Sequence, residues 1–141
     1  MRLAFAADHA GVGLKDQLAA AATAAGHEVV DLGTHGAERV DYPQFGRRCA
    51  EVVAAGQADR GVVVCGTGIG ISIAANKVAG IRCALAHDVT TARMSRLHND
   101  ANMLALGARV VGPQVADDCL QAFLDTPFEA GRHTRRTDML G

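Results

Sequence analysis

Tryptophan is absent from this sequence, and aromatic residues make up only 4% of it. A surface that stacks bases needs aromatic platforms, so single-stranded nucleic acid has little to bind to here. Basic excess is lacking too: 14 Lys+Arg stand against 15 Asp+Glu, a net charge of -1. That excludes the electrostatic footprint of a chain that binds nucleic acid or an anionic membrane. A local cluster that holds one small anion is still allowed. No apolar run approaches the ~20 residues of a membrane span. The opening MRLAFAADHAG reaches Asp8 and His9 too soon for a secretory signal. Cysteine occurs at Cys49, Cys65, Cys83 and Cys119, never in C-x-x-C or a zinc spacing. No metal is expected, and a chain of this size needs no disulfide staples, so the expected setting is a reducing cytoplasm.

What is present is aliphatic. Hydrophobic residues make up 49% of 141 residues, mostly Ala, Val, Leu and Ile. That is enough for one domain, 1–141, with a real core. Apolar runs alternate with amphipathic segments. Strands are predicted at Leu3–Ala7, Glu28–Leu32, Gly61–Val64, Ile81–Ala86 and Met103–Leu106. Helices are predicted at Gly13–Ala25 (with Gly26 as a C-cap), from Pro43 to about Ala55, and at Ile71–Lys77, Val89–His98 and Pro113–Leu124. The tail from Asp125 reads as polar and arginine-rich. Repeated β-α units predict a three-layer α/β/α sandwich around a parallel sheet, with its ligand crevice outside the carboxyl ends of the strands.

Titratable residues collect on the rim where an α/β sheet puts its chemistry. Asp8-His9 follow strand 1, Cys65 follows strand 3, His87-Asp88 follow strand 4, and His98-Asn99-Asp100 follow helix 4. Each has an ordinary reading as a helix cap or a solvated loop residue. Residues 65–77 are less ordinary: CGTGIGISIAANK, with Gly66, Gly68 and Gly70 spaced G-x-G-x-G. The spacing is neither the dinucleotide fingerprint nor a P-loop. Glycines let a backbone approach a ligand and turn its N–H groups inward, and a helix start adds partial positive charge. Such a loop suits an oxyanion or phosphate, with the Thr67 hydroxyl beside it. A free cysteine is usually a small hydrophobe. Next to a helix start and a nest of amides, Cys65 has the setting of a reactive thiol. Cys49, Cys83 and Cys119 fall inside elements and read as core. In the tail, Arg132 and Arg136 are four apart and would share a helix face. With Arg109 they read either as solvated charge or as a phosphate clamp.

AADHAG at 6–11, DYP at 41–43, CGTGIGISIAANK at 65–77, RLHNDAN at 96–102, LGARVVG at 106–112 and EAGRH at 129–133 occur together and in order. In this the chain resembles the RpiB/LacA/LacB sugar-phosphate isomerase family over nearly its whole length. The resemblance implies a sheet of order 2-1-3-5-4. It also implies aldose–ketose isomerisation of D-ribose 5-phosphate and D-ribulose 5-phosphate through a cis-enediolate, with no metal or organic cofactor. Cys65 matches the family's base. Another branch uses a glutamate a few residues on, but here that position is Ile69 or Gly70. Thr67 and His98 match the residues that open the sugar ring, and Asp8 a carboxylate that shuttles a proton between two oxygens. Tyr42 would lie against the sugar, and Asn99 would hydrogen-bond it. The loop of Gly66, Gly68 and Gly70 would hold the enediolate. His9, Arg132 and Arg136 match the phosphate set, with Arg109 as an addition. The resemblance further implies a homodimer, or a dimer of dimers, whose sites are shared. In it His98, Asn99, Arg109 and the tail arginines come from the neighbouring chain. The chain ends at Gly141, shortly after the arginines, which leaves the choice between dimer and tetramer open.

Two alternatives stand beside this reading. One is the same chemistry on an allose, galactose or tetrose phosphate. The other is a non-catalytic phosphate- or nucleotide-binding α/β module. A thiol redox protein is excluded by the lack of a resolving cysteine near Cys65.

Overall fold

The structure, a computed structural model, describes residues 1–141. Strands β1 (Arg2–Ala7), β2 (Glu28–Asp31), β3 (Arg60–Cys65), β4 (Cys83–Leu85) and β5 (Met103–Gly107) form one parallel sheet of order β2-β1-β3-β5-β4. Helices α1 (Val12–Ala24), α2 (Tyr42–Ala54), α3 (Ile69–Asn76), α4 (Val89–Leu97) and α5 (Pro113–Asp125) connect and cover it. A 3₁₀ turn at Gly131–His133 leads into α6 (Thr134–Leu140).

The alternation of side chains along each strand sorts the core into two halves. Leu3, Phe5, Val62, Val64, Leu104 and Leu106 pack with α1, α4 and α5. Ala4, Ala6, Val63, Cys65, Met103 and Ala105 face α2 and α3, meeting Cys49, Ala50 and Ile71. Both faces are covered, which is why the central strands read as continuous apolar runs. Gly46 lets α2 and α3 close together: a Cβ there would lie 2.8 Å from the Ile71 carbonyl oxygen.

Two departures from the sequence-based expectation have physical reasons. The tail is helical, not merely polar, because His133 and Thr137, four residues apart, turn inward and are buried. β4 is shorter than Ile81–Ala86 because its start is held by side chains. The Arg82 N–H donates to Asn102 Oδ1, and Asn76 Oδ1 accepts from the Cys83 N–H.

Lys15 is fully buried on α1. Its ammonium donates to Asp31 Oδ2 at 2.6 Å and to Asp16 Oδ1 at 2.8 Å. Asp31 Oδ1 in turn accepts the Gly33 N–H at 2.9 Å, so the pair fixes the turn after β2. Burial alone would push the lysine down, but its hydrogen bonds to both carboxylates outweigh it and the group is raised above 10.5. Burial would push Asp31 up, but the bonds from Lys15 and Gly33 hold it below 3.8. The raised lysine contributes stability that is present below pH 10.5 and lost as pH rises through its folded value. The depressed aspartate contributes stability present above pH 3.8 and lost as pH falls through its folded value. Asp31→Ala leaves the buried ammonium with only the exposed Asp16, and is expected to destabilise by about 3 kcal/mol. Lys15→Met, an apolar replacement of similar volume, is expected to stay within about 1 kcal/mol of wild type. Urea midpoints at neutral pH check both, and equal losses in the two variants would contradict this account.

Candidate active site

Cys65 is the last residue of β3 and is 4% exposed. The chain then turns through Gly66-Thr67-Gly68 into α3. Gly68 has φ +77°, and a Cβ on it would lie 2.8 Å from the Leu106 carbonyl carbon. That conformation aims the Gly68 N–H back at Cys65 Sγ, 3.1 Å away. Thr67 Oγ1 accepts the Ile69 N–H at 3.3 Å, leaving the hydroxyl proton free to donate outward. The loop after β5 backs this turn: Ala108 and Arg109 donate their N–H groups to the Cys65 and Gly66 carbonyls, each at 2.9 Å. The other thiols behave as core. Burial pushes Cys49 up to about 12 and Cys119 up to about 11, and raises Cys83 as well.

Neighbouring elements bring more groups to this rim. Asp8, at the end of β1, is 6% exposed, and its Oδ1 accepts the Ala10 and Gly11 N–H groups. Gly11 must be glycine, since a Cβ would lie 2.5 Å from the Val64 carbonyl oxygen. The carboxylate thus braces the turn into α1 without being the N-cap of that helix, which is Gly11. His9 Nδ1 accepts the Val40 N–H at 3.2 Å, tying the long loop down beside β1. The Tyr42 ring stands directly over Gly70, where any Cβ would strike it. The Arg109 guanidinium lies over Gly66, with Nη1 3.4 Å from where a Cβ would be. The resemblance assigns Arg109 to the neighbouring chain, yet this guanidinium already sits on the loop of its own chain. Asp8, His9, Tyr42, Cys65, Gly66, Thr67, Gly68, Gly70 and Arg109 therefore form one group at the C-terminal ends of the strands.

His98, Asn99, Arg132 and Arg136 do not join them, which corrects the expectation that His98 shares the rim. α4 leaves the C-terminal end of β4 and runs back along the sheet. His98, its C-cap, therefore lies at the other edge. The carbonyl oxygens of Asn99 and Asp100 accept from Arg82 Nε, just before β4 begins. β3 has six residues, so at about 3.3 Å per residue the two edges are about 16 Å apart. A second cluster forms there. The His98 and His133 rings stack with centroids 4.3 Å apart and planes 16° from parallel. Glu129 Oε2 lies 3.9 Å from His98 Nε2 and 3.8 Å from His133 Nε2. The Glu129 N–H donates to the Leu97 carbonyl, fixing this segment to the end of α4. Arg132 Nε points at His133 Nε2 at 3.5 Å. Burial, then the neighbouring His98, hold His133 below its usual range. The ligand atoms of His98, Glu129 and His133 lie within 4.8 Å of one another. In near-parallel stacked rings, however, the in-plane lone pairs run side by side and do not converge on a cation. Sequence reasoning gave Glu129 and His133 no role. The i,i+4 spacing of His133 and Thr137 was the available signal.

Residues 3–140 match the family model described as Ribose/Galactose Isomerase. The chain belongs to the ribose/galactose isomerase family. Among its relatives, Escherichia coli ribose-5-phosphate isomerase B is 45% identical, covering 99% of this chain and 93% of that protein. A putative sugar phosphate isomerase of Bacillus subtilis is 47% identical over 96% of this chain and 92% of its own length. The solved structure of Clostridium thermocellum ribose-5-phosphate isomerase B superposes with a TM-score of 0.99 at 52% identity, over 100% of this chain and 95% of that one. The Cys65 rim offers a sulfur, a carboxylate and the Gly68 N–H. The His98 edge offers an imidazole and guanidinium groups.

Proposed function

We propose that this chain interconverts D-ribose 5-phosphate and D-ribulose 5-phosphate, with each active site built from the Cys65 rim of one chain and the His98 edge of a second. The separation of these two groups to opposite edges of one sheet is the observation that carries the reading. The length of β3 lies between them inside one chain, and a second copy that brings its His98 edge to the Cys65 rim would close it. α6 supports this. Its last residues, Met139 and Leu140, are largely exposed. Ile69 and Ile73 of α3, four apart on one face, are also exposed beside the glycine loop, as is Leu85. A homodimer would cover these surfaces.

In this reading His98 and Thr67 move the protons that open the sugar ring. The Cys65 thiolate takes the proton from C2 of the aldose. The electron pair moves into the C1–C2 bond as the carbonyl oxygen becomes anionic, giving the cis-enediolate. Inward N–H groups of Gly66, Gly68 and Gly70, with Asn99, stabilise that charge. Asp8 carries a proton between O1 and O2, and the thiol returns its proton to C1. Tyr42 lies along the sugar, while His9, Arg109, Arg132 and Arg136 grip the phosphate. No metal or cofactor takes part. No helix is long and apolar enough to cross a membrane. The four cysteines are free, which fits a reducing compartment, and ribose 5-phosphate as substrate would place the enzyme in pentose phosphate metabolism.

The test is ribulose 5-phosphate formation from ribose 5-phosphate in the presence of EDTA. Turnover with chelator present is the expected result. Silence on ribose 5-phosphate together with turnover of galactose 6-phosphate would move the substrate to a hexose. Silence on both would return the chain to a binding module.

A further inference from the structure

We infer that His87 is a positioning residue: it supplies the hydrogen-bond acceptor that β4 is too short to provide, and so holds the floor of the glycine loop in place. The last register pair between β4 and β5 is Leu85 with Ala105. Continued two steps, the ladder would set residue 87 opposite Gly107, but the strand has ended and the chain is turning toward Asp88, the N-cap of α4. The Gly107 N–H instead donates to the His87 side chain, at Nε2, 2.9 Å away. Accepting that bond requires Nε2 to be bare, so a neutral His87 carries its proton on Nδ1.

What this bond holds is specific. Gly107 pairs with Cys65 across β5 and β3. A Cβ at Gly107 would lie 2.6 Å from the Thr67 carbonyl carbon and oxygen, so the Gly107 peptide is packed backbone to backbone beneath Thr67. The next two N–H groups, of Ala108 and Arg109, bond the Cys65 and Gly66 carbonyls. Gly107 thus begins a three-residue brace under the base and anion loop. His87 anchors the outer end of that brace and makes no hydrogen bond to the thiol or the loop itself. Without the acceptor, the Gly107 N–H is left unpaired and the brace is free to shift. Small displacements of reacting groups cost rate far more than they cost binding.

This rests on reading the Cys65 rim as the isomerase site, and the experiment separates the two. His87→Ala and His87→Phe remove the acceptor, the second keeping a ring of similar size. His87→Gln places an amide oxygen near the position of Nε2. Both acceptor-free variants are expected to lose about tenfold in kcat, the size of one lost hydrogen bond, with KM for ribose 5-phosphate within about twofold. His87→Gln is expected to recover most of kcat. The backbone amide of Gly107, followed by NMR hydrogen exchange, should be protected in wild type and His87→Gln. It should exchange at least about tenfold faster in whichever acceptor-free variant folds. Wild-type kcat and Gly107 protection in His87→Phe overturn the inference, as does a His87→Gln as impaired as His87→Ala. A Cys65→Ala control that stays active instead overturns the reading of the rim, whatever His87 does.

Discussion

Cys65→Ala is expected to lower kcat for ribose 5-phosphate isomerisation by about 10³-fold or more, while KM changes by less than about threefold. The step at stake is removal of a carbon-bound proton, and no other side chain at the C-terminal ends of the strands is placed to replace the thiol. Asp8 is the nearest carboxylate by position, but its Oδ1 is committed to the Ala10 and Gly11 N–H groups. Binding should survive because the proposed phosphate grip, through His9, Arg109, Arg132 and Arg136, is independent of the sulfur. Packing should survive as well, since the thiol is one small group in a core half built mainly of alanine, valine and isoleucine. Cys65→Ser is the sharper comparison. It keeps the size and a polar atom that can accept the Gly68 N–H, but replaces the thiolate with a far weaker acid–base group. It should therefore fold and bind as wild type does and still be nearly inactive. A Cys65→Ala enzyme that keeps a tenth or more of wild-type kcat would remove Cys65 from the proton-transfer step.

The second large effect is a recovery. Cys65→Ala and His98→Asn should each be nearly inactive alone, yet activity should return when the two chains are co-expressed or refolded together. In a mixed dimer, one site receives both defects and the other receives neither. Random pairing then gives an intact site in about a quarter of all positions, and about a quarter of wild-type activity. A site contained within one chain predicts no recovery at any mixing ratio. The His98 position on the far edge of the sheet makes this the decisive test of shared sites. Tagging the two variants differently and purifying the doubly tagged species should raise the yield to about half. Failure of the mixture to gain activity, with mixed dimers demonstrably present, would sink the two-chain site and leave His98 without a role in it.

Much of the fold was legible in the sequence because alternating strands and helices leave few topologies open. The buried strands advertised themselves as apolar runs, and Pro43 marked the start of α2. Asp8, His9, Cys65, Gly66, Thr67 and Arg109 were legible for a related reason: they lie within two residues of a strand end, and the strand ends were found. The placement of His98 failed on direction. A helix that follows a parallel strand runs back along the sheet, so nine residues of α4 carry its C-cap about 13 Å toward the opposite edge. That arithmetic was available from the element boundaries. Other features were not. Lys15 sits in GLKDQL with nothing to mark it as buried, because its partner Asp31 is distant in sequence and meets it only once β2 lies beside β1. His87 gave a titratable residue at a strand end but no hint that it completes a ladder, since that depends on where β4 stops. The tail looked like solvated charge because the arginines dominate it, while the two residues that anchor it, His133 and Thr137, are individually unremarkable.

The sorting of β3 side chains between the two halves of the core has a consequence for which changes of length the protein can tolerate. Val62 and Val64 face one layer, Val63 and Cys65 the other. The side on which the sulfur emerges is therefore a matter of odd or even count from the strand's entry at Arg60. Removing one residue between Gly61 and Val64 would swing the thiol toward α1 and α5, away from the glycine loop, and would turn a valine into its place. Removing two would restore the side but pull Cys65 about 7 Å down the strand, beneath the loop it serves. Loops elsewhere in the chain can lengthen or shorten by single residues, but this strand cannot. Insertions and deletions across the family should therefore be missing from the stretch between Arg60 and Gly70 and should gather in the long connection between β2 and α2.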